Sequence, residues 1–321
     1  MCGVLYSTTE MSEQPHSNNS SSSHSRVKIA EALTEAAATL RAAGVADACP
    51  DARALLSHTL ARGHAFLIAH SDDELEPHAH ALFRERVTRR AAGEPVQYIT
   101  GRQEFYGLDF EVNPAVLIPR PETELLVECA LELLRATNAP LVCDVGTGSG
   151  CIPVALLHER ADAHAFGLDI STDALVVAAR NAARHHVNPR LTFLVSDCFD
   201  ALDALDAPDA SRAAATTFDL ITSNPPYIAE SEIPNLQREV REHEPRGALT
   251  PGGDGLSFIR RLVAEAPRFI RAGGHLIFEI GYDQHEAIAR LVHPNVWTLL
   301  DIRRDLQGIP RVVVLQHRAG A

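Results

Sequence analysis

Pro140-Leu141-Val142-Cys143-Asp144-Val145, then Gly146-Thr147-Gly148-Ser149-Gly150, then Cys151-Ile152-Pro153-Val154-Ala155-Leu156-Leu157 reads as a short buried strand, a glycine loop and the first turns of a helix. Glycines let the backbone turn tightly and let a ligand approach with no Cβ in the way. Strand, loop and helix in that order form a nucleotide cradle. The spacing is Gly-x-Gly-x-Gly and not the dinucleotide fingerprint Gly-x-Gly-x-x-Gly, which argues against a nicotinamide or flavin cofactor. A plain turn can use the same glycines, so the loop needs support from other parts of the chain.

Support comes first from Ala165-Phe166-Gly167-Leu168-Asp169, a second strand pattern ending in a carboxylate. Such folds grip ribose hydroxyls at that place, and Asp169 can accept two hydrogen bonds from a vicinal diol. Further on, Phe218-Asp219-Leu220-Ile221-Thr222 leads into Asn224-Pro225-Pro226-Tyr227. A planar amino or amide nitrogen is a poor nucleophile, because its lone pair is delocalised into a carbonyl or a ring. The Asn224 side-chain carbonyl and a backbone carbonyl beside Pro225 could accept both of its hydrogens and turn the lone pair toward an electrophilic methyl. Two prolines stiffen the loop, and Tyr227 offers a stacking face. Asn-Pro and Pro-Pro are also ordinary loop punctuation. Glycine loop, Asp169 and Asn224 loop, following in this order, favour S-adenosylmethionine as the ligand.

Length and composition suit an enzyme of about two domains: 321 residues and 45% apolar content. Twenty-nine basic against 42 acidic residues give a formal charge of -13, which opposes non-specific attachment to a phosphate backbone. Six cysteines, at 2, 49, 129, 143, 151 and 198, lack paired metal-ligand spacing and read as reduced, mostly buried thiols. The histidine pairs His78/His80 and His185/His186 have no partners that would complete a zinc site, so no metal is expected. Residues 1–26 are polar and serine-rich and read as a disordered tail, with Met11 as an alternative start. No stretch is long and apolar enough to cross a membrane, and a cytoplasmic enzyme is expected.

From Val27, the residues Ile29, Leu33, Ala36 and Leu40 recur at helical spacing, with Gly44 as a stop. Asp51 is placed to cap a second helix containing Leu55, Leu56 and Leu60, and a third runs from about Leu75 through Leu82, Phe83 and Val87. Residues 27–93 thus read as a small helical bundle. After about residue 119 helix and strand alternate, with strands near 141, 165, 192, 219, 276 and 312, which implies a doubly wound α/β sheet. Asp144, Asp169, Asp197 and Asn224 all fall at carboxyl ends of these strands, where one site would form.

The chain resembles the N5-glutamine methyltransferases of peptide chain release factors, through motifs spread over roughly residues 27–316. Pro95-Val96-Gln97-Tyr98-Ile99-Thr100-Gly101 with Glu104-Phe105-Tyr106-Gly107 is similar to that family's linker, and Leu117-Ile118-Pro119-Arg120-Pro121-Glu122-Thr123-Glu124 to the lead-in of its catalytic domain. Glu244-Pro245 through Ala248-Leu249, Gly252-Gly253-Asp254-Gly255-Leu256, Gly273 through Gly281, and Asp305-Leu306 through Gly308-Ile309-Pro310-Arg311 are further matches.

The resemblance implies a Rossmann-like class I methyltransferase sheet on residues 119–321, an N-terminal helical substrate-recognition domain on 27–93 and a β-hairpin linker on 94–118. It implies S-adenosylmethionine as methyl donor, leaving S-adenosylhomocysteine, and as target the glutamine of the Gly-Gly-Gln motif in class 1 release factors. Gly146, Thr147, Gly148, Ser149 and Gly150 would pack against the methionine and ribose portions of the donor, Asp169 would hold the ribose, and Asp197 and Cys198 would border the adenine. Family members often carry a large apolar or aromatic residue where Cys198 stands. Asn224 is the expected catalytic residue and would also touch the donor, with Pro225, Pro226 and Tyr227 completing the substrate loop. Two alternatives share that loop: glutamine methylation of a large-subunit ribosomal protein, and N6-adenine methylation of nucleic acid. The Pro119 to Glu124 pattern disfavours the first, and the acidic chain, with no visible basic channel, disfavours the second.

Overall fold

A computed structural model describes residues 27–205 and 217–318; the expectation of a disordered tail over 1–26 lies outside the described residues. Four helices come first: α1 (Ile29–Ala42), α2 (Ala48–Leu60), α3 (His64–Ala69) and α4 (Pro77–Ala91). Ile29, Ala32, Ala36 and Leu40 of α1 lie on one face and bury against Leu55 and Leu56 of α2 and Phe83 and Val87 of α4. Asp51 does not cap α2. The helix begins a turn earlier, after Asp47, with Pro50 in its first turn, where a missing N–H leaves no bond unmade. Asp51 is instead buried at the end of the first turn and accepts a hydrogen bond of 2.6 Å from Arg90 Nε of α4. Arg90 also pairs with Glu239, far along the chain.

A short helix, α5 (Val96–Thr100), packs Ile99 into the same helical core. Strands β1 (Arg102–Phe105) and β2 (Leu108–Glu111) then form an antiparallel hairpin. Its two turn residues, Tyr106 and Gly107, both have positive φ, the geometry that a tight hairpin requires.

From here helices and strands alternate: α6 (Glu124–Leu133), β3 (Leu141–Val145), α7 (Cys151–Glu159), β4 (His164–Asp169), α8 (Thr172–Arg184), β5 (Leu191–Val195), α9 (Asp200–Leu205) and β6 (Phe218–Ser223). Three short helices, α10 (Arg238–His243), α11 (Arg246–Leu249) and α12 (Ser257–Glu265), precede β7 (Ile270–Glu279), followed by α13 (His285–Leu291), β8 (Trp297–Arg304) and β9 (Pro310–His317). The seven strands lie in the order β5-β4-β3-β6-β7-β9-β8. The first five are parallel, β9 runs antiparallel to β7, and β8 antiparallel to β9. The order reverses between β3 and β6, the kind of point where an open α/β sheet holds its ligand.

Both faces of the sheet are covered, which is why its strands read as continuous apolar runs. Along β9, Val312 and Val314 join one core with Leu126 of α6 and Ile152 of α7, while Val313 and Leu315 join the other with Leu262 of α12 and Ile288 of α13. Strand β8 was not foreseen. No helix among the described residues is long and apolar enough to cross a membrane.

Candidate active site

Strand register sets the site. Asp144 of β3 pairs with Thr222 of β6, so Gly146 and Asn224 each stand two residues further on at the carboxyl ends of adjacent parallel strands. Two buried side chains staple these ends: Thr222 Oγ1 donates to Asp144 Oδ1 at 2.7 Å, and Ser223 Oγ to the Val145 carbonyl at 2.7 Å. On the other side, β4 pairs Leu168 with Val145, and β5 pairs Val195 with Asp169. Asp197, Asp169, Gly146 and Asn224 therefore follow one another across four strand ends, a span of roughly 14 Å at the usual strand spacing.

The glycine loop is held from below and open above. Gly146, Gly148 and Gly150 all have positive φ. A Cβ on Gly146 or Gly148 would meet nothing within 4 Å, whereas one on Gly150 would press on Ala178 of α8 at 3.1 Å. The Asp169 carboxylate accepts from Gly148 N at 2.8 Å and Ser171 N at 2.9 Å. A carboxylate has about four acceptor positions, so two remain for a diol. Burial raises its pKa, and those backbone donors oppose the rise. Asn181 of α8 fixes the loop from behind: its Nδ2 donates to Ser149 O at 2.9 Å, while its Oδ1 accepts from Glu111 N of the hairpin at 2.7 Å.

Two buried polar groups, Asp144 and Thr147, meet beneath the loop, where the Thr147 hydroxyl favours the charged form of Asp144. Complete burial pushes the Asp144 carboxyl up to about 6. A left-handed loop open above and an adjacent carboxylate with spare acceptor capacity fit a nucleoside with a charged amino-acid tail.

At Asp197 and Cys198 the geometry is more particular. Asp197 is occupied by Arg261, whose Nη1 donates to Oδ1 at 2.6 Å and whose Nη2 donates to the Asp197 carbonyl at 3.0 Å. Cys198 is buried at 3% exposure with φ of +53°, packed into the core with Cys143, Val145 and Leu168. Burial pushes its thiol up to about 12.

Asn224 begins the Asn-Pro-Pro-Tyr loop. Pro225, Tyr227, Ile228, Leu117, Arg120 and Leu249 join it around a cleft of about 70 Å³. Pockets for whole small molecules run to roughly 300–1,000 Å³, so this cleft is scaled to one side chain. The loop backbone is laced to the end of α11 and the turn that follows: Ile228 N donates to Leu249 O and Glu230 N to Gly253 O, each at 3.0 Å. Pro226 is half-buried. Arg120, on the rim, pairs with buried Glu244 at 2.5 Å.

Three residues given no chemical role by the sequence reading complete the arrangement. Asn224 Nδ2 donates to Thr123 Oγ1 at 3.0 Å, Thr123 Oγ1 donates to Glu279 Oε2 at 2.6 Å, and Tyr227 OH donates to Glu279 Oε1 at 3.1 Å. Full burial raises the Glu279 pKa, and the bonds from Thr123 and Tyr227 and the nearby Arg311 favour its charged form. Arg311 Nε in turn donates to Asp305 at 3.0 Å. Thr123, Glu279 and Arg311 each sit in a segment that carried the family resemblance, and that was the only signal in the sequence that pointed to them.

Comparison with known proteins gives two matching family models, one described as the PrmC N-terminal domain over residues 31–101 and one as a methyltransferase domain over residues 137–295. A release factor glutamine methyltransferase of Nitratidesulfovibrio vulgaris is 43% identical over 298 residues, 92% of this chain and 97% of its own. One from Cereibacter sphaeroides is 44% identical over 287 residues, covering 89% and 98%. One from Burkholderia pseudomallei is 44% identical over 266 residues, covering 81% and 89%.

Proposed function

The chain belongs to the release factor glutamine methyltransferases, and from that premise we propose that it works through Asn224 beside the glycine loop. The reaction is methylation of a glutamine side-chain amide of release factors, with S-adenosylmethionine as donor. The observation that carries the assignment of residues is the pairing of Asp144 with Thr222, which makes the Gly146 to Gly150 loop and Asn224 neighbours on adjacent strands.

The target is the glutamine of the Gly-Gly-Gln motif in class 1 factors. Bound S-adenosylmethionine supplies a methyl already activated by its sulfonium, so no covalent enzyme intermediate is required. The protein's task is orientation, desolvation and fit to an in-line transition state. Asn224 Oδ1 and a backbone carbonyl beside Pro225 accept the two hydrogens of the substrate amide, and Tyr227 flanks it. A strong base is not needed before attack, because the proton becomes acidic only as the new N–C bond forms. Gly146 to Gly150 and Asp169 hold the donor, and the backbone at Asp197 and Cys198 borders its adenine. The helices of residues 27–93 recognise the protein substrate, the 94–118 hairpin linker sets their position, and residues 119–321 carry the chemistry.

Methyl transfer to purified release factor tests this directly. Asn224→Ala is expected to bind S-adenosylmethionine normally yet to transfer methyl about a hundredfold more slowly, the scale seen when an oriented polar group is removed from a transition state. Mass spectrometry should place one methyl on the Gly-Gly-Gln glutamine, and a factor with that glutamine replaced should accept none. Undiminished transfer by Asn224→Ala, or methyl appearing in DNA, would overturn the reading.

A further inference from the structure

We propose that Thr123 and Glu279 are positioning residues for methyl transfer, and that they fix which way round the Asn224 amide stands. The inference rests on Asn224 receiving the substrate amide, as proposed above.

An asparagine amide has a donor end and an acceptor end of nearly the same shape, so packing alone cannot choose between its two orientations. Hydrogen-bond polarity can. A threonine hydroxyl has a single hydrogen, and an ionised carboxylate only accepts. With Glu279 charged, the hydrogen of Thr123 is committed to Glu279 Oε2, at the short distance of a charge-assisted bond, 2.6 Å. Thr123 is then left as an acceptor and takes the Nδ2 end of Asn224 at 3.0 Å. Oδ1, the end that Thr123 does not hold, is the acceptor that remains for a substrate N–H. Tyr227 OH donates to the second oxygen of Glu279, so the loop that flanks the substrate amide reads the same carboxylate. Thr123 and Glu279 are each 1% exposed, so water does not compete for these bonds.

Replacing Glu279 by glutamine reverses the polarity. Tyr227 would donate to the new carbonyl, the new amide would donate to Thr123, and the Thr123 hydrogen would turn to Asn224 Oδ1. Asn224 would then rotate and offer N–H groups to a substrate that also offers N–H groups.

The test is kinetic, on the full chain with release factor as substrate. Thr123→Val and Glu279→Gln should each lower kcat by about 10- to 100-fold, the cost of a small misplacement of a reacting group. KM for the factor, cofactor affinity by titration and melting temperature should stay near those of the parent. Thr123→Ser, which keeps the hydroxyl, should recover most of the rate. Because Thr123 acts through Asn224, Thr123→Val combined with Asn224→Ala should be no slower than Asn224→Ala alone. A parent-like kcat for Thr123→Val, or a fully additive loss in the double variant, would overturn the proposal while a slow Asn224→Ala kept the role of Asn224 intact. A parent-like rate for Asn224→Ala would remove both. Should Glu279→Gln fail to fold, the valine and serine variants at 123 decide the matter.

Discussion

Gly255 passes so close to Tyr227 that a Cβ on the glycine would stand 2.3 Å from the Tyr227 carbonyl oxygen. That carbonyl is also held by Gln284 Nε2 at 2.7 Å, and φ at Gly255 is +78°. The glycine-rich turn at 252–255 is thus the floor against which the loop that begins at Asn224 is laid.

Gly255→Ala should therefore act at a distance from the donor. The loop from Tyr227 to Ala229 has to move, and we expect methyl transfer to fall by more than about tenfold while cofactor affinity holds. Strain at the left-handed position should cost about 1–3 kcal/mol of stability. Gly247→Ala, where a Cβ meets nothing within 4 Å, serves as the control and should change neither quantity. Paired turnover and calorimetric titration on the two variants would decide, and a loss of donor binding in Gly255→Ala would contradict the idea.

Asp169 carries two duties, since it anchors Gly148 and would also hold the ribose. Asp169→Asn keeps its size but gives up the charge and an acceptor, so S-adenosylmethionine affinity should drop by about 1.5–3 kcal/mol. Asp169→Ala should do at least as much damage, because the Gly148 N–H then loses its partner too. Affinities equal to the parent in both variants would remove Asp169 from the donor site.

Asp144 should leave a signature in stability against pH. Its carboxyl is raised from an ordinary 3.8 to about 6 by burial, so between those values the folded chain holds a proton that the unfolded chain has lost. The group's stabilising contribution is complete below about 4 and declines as pH rises through about 6, flattening above that. Asp144→Asn removes this dependence. Relative to its standing at pH 4, the asparagine variant should gain on the parent by about 1–3 kcal/mol at pH 8. Denaturant titrations at both pH values, showing curves that stay parallel, would refute the assignment.

The parallel core of the sheet was legible because each of its strands is a short apolar run closed by a turn or a carboxylate: Val142 to Val145 before the glycines, Ala165 to Leu168 before Asp169, Leu220 and Ile221 before Asn224. β8 escaped notice for the opposite reason. It is an edge strand with Asp301, Arg303 and Arg304 in its second half, exposed Leu299 and Leu300, and two register irregularities, which blur any alternation. Asp51 was misread since a polar residue near the start of a helix looks like a cap, while its true partner, Arg90, is 39 residues away. The same holds in the site. Asn224, Asp169 and the glycine loop are visible as local patterns, but the bond from Thr123 to Glu279 spans 156 residues and nothing local announces it. Arg261 on Asp197, 64 residues apart, is a second such case.

The reversed strand has a consequence for the order in which the molecule is made. Among the described residues β8 pairs only with β9, and β9 enters the sheet between β8 and β7. A chain emerging from the ribosome therefore completes β8 before the strand that will hold it exists. Arg311, the cation facing Glu279, arrives with that same late strand. Edge closure and the final charge of the active site are thus a single event in synthesis, and nascent chains that end before residue 311 lack both.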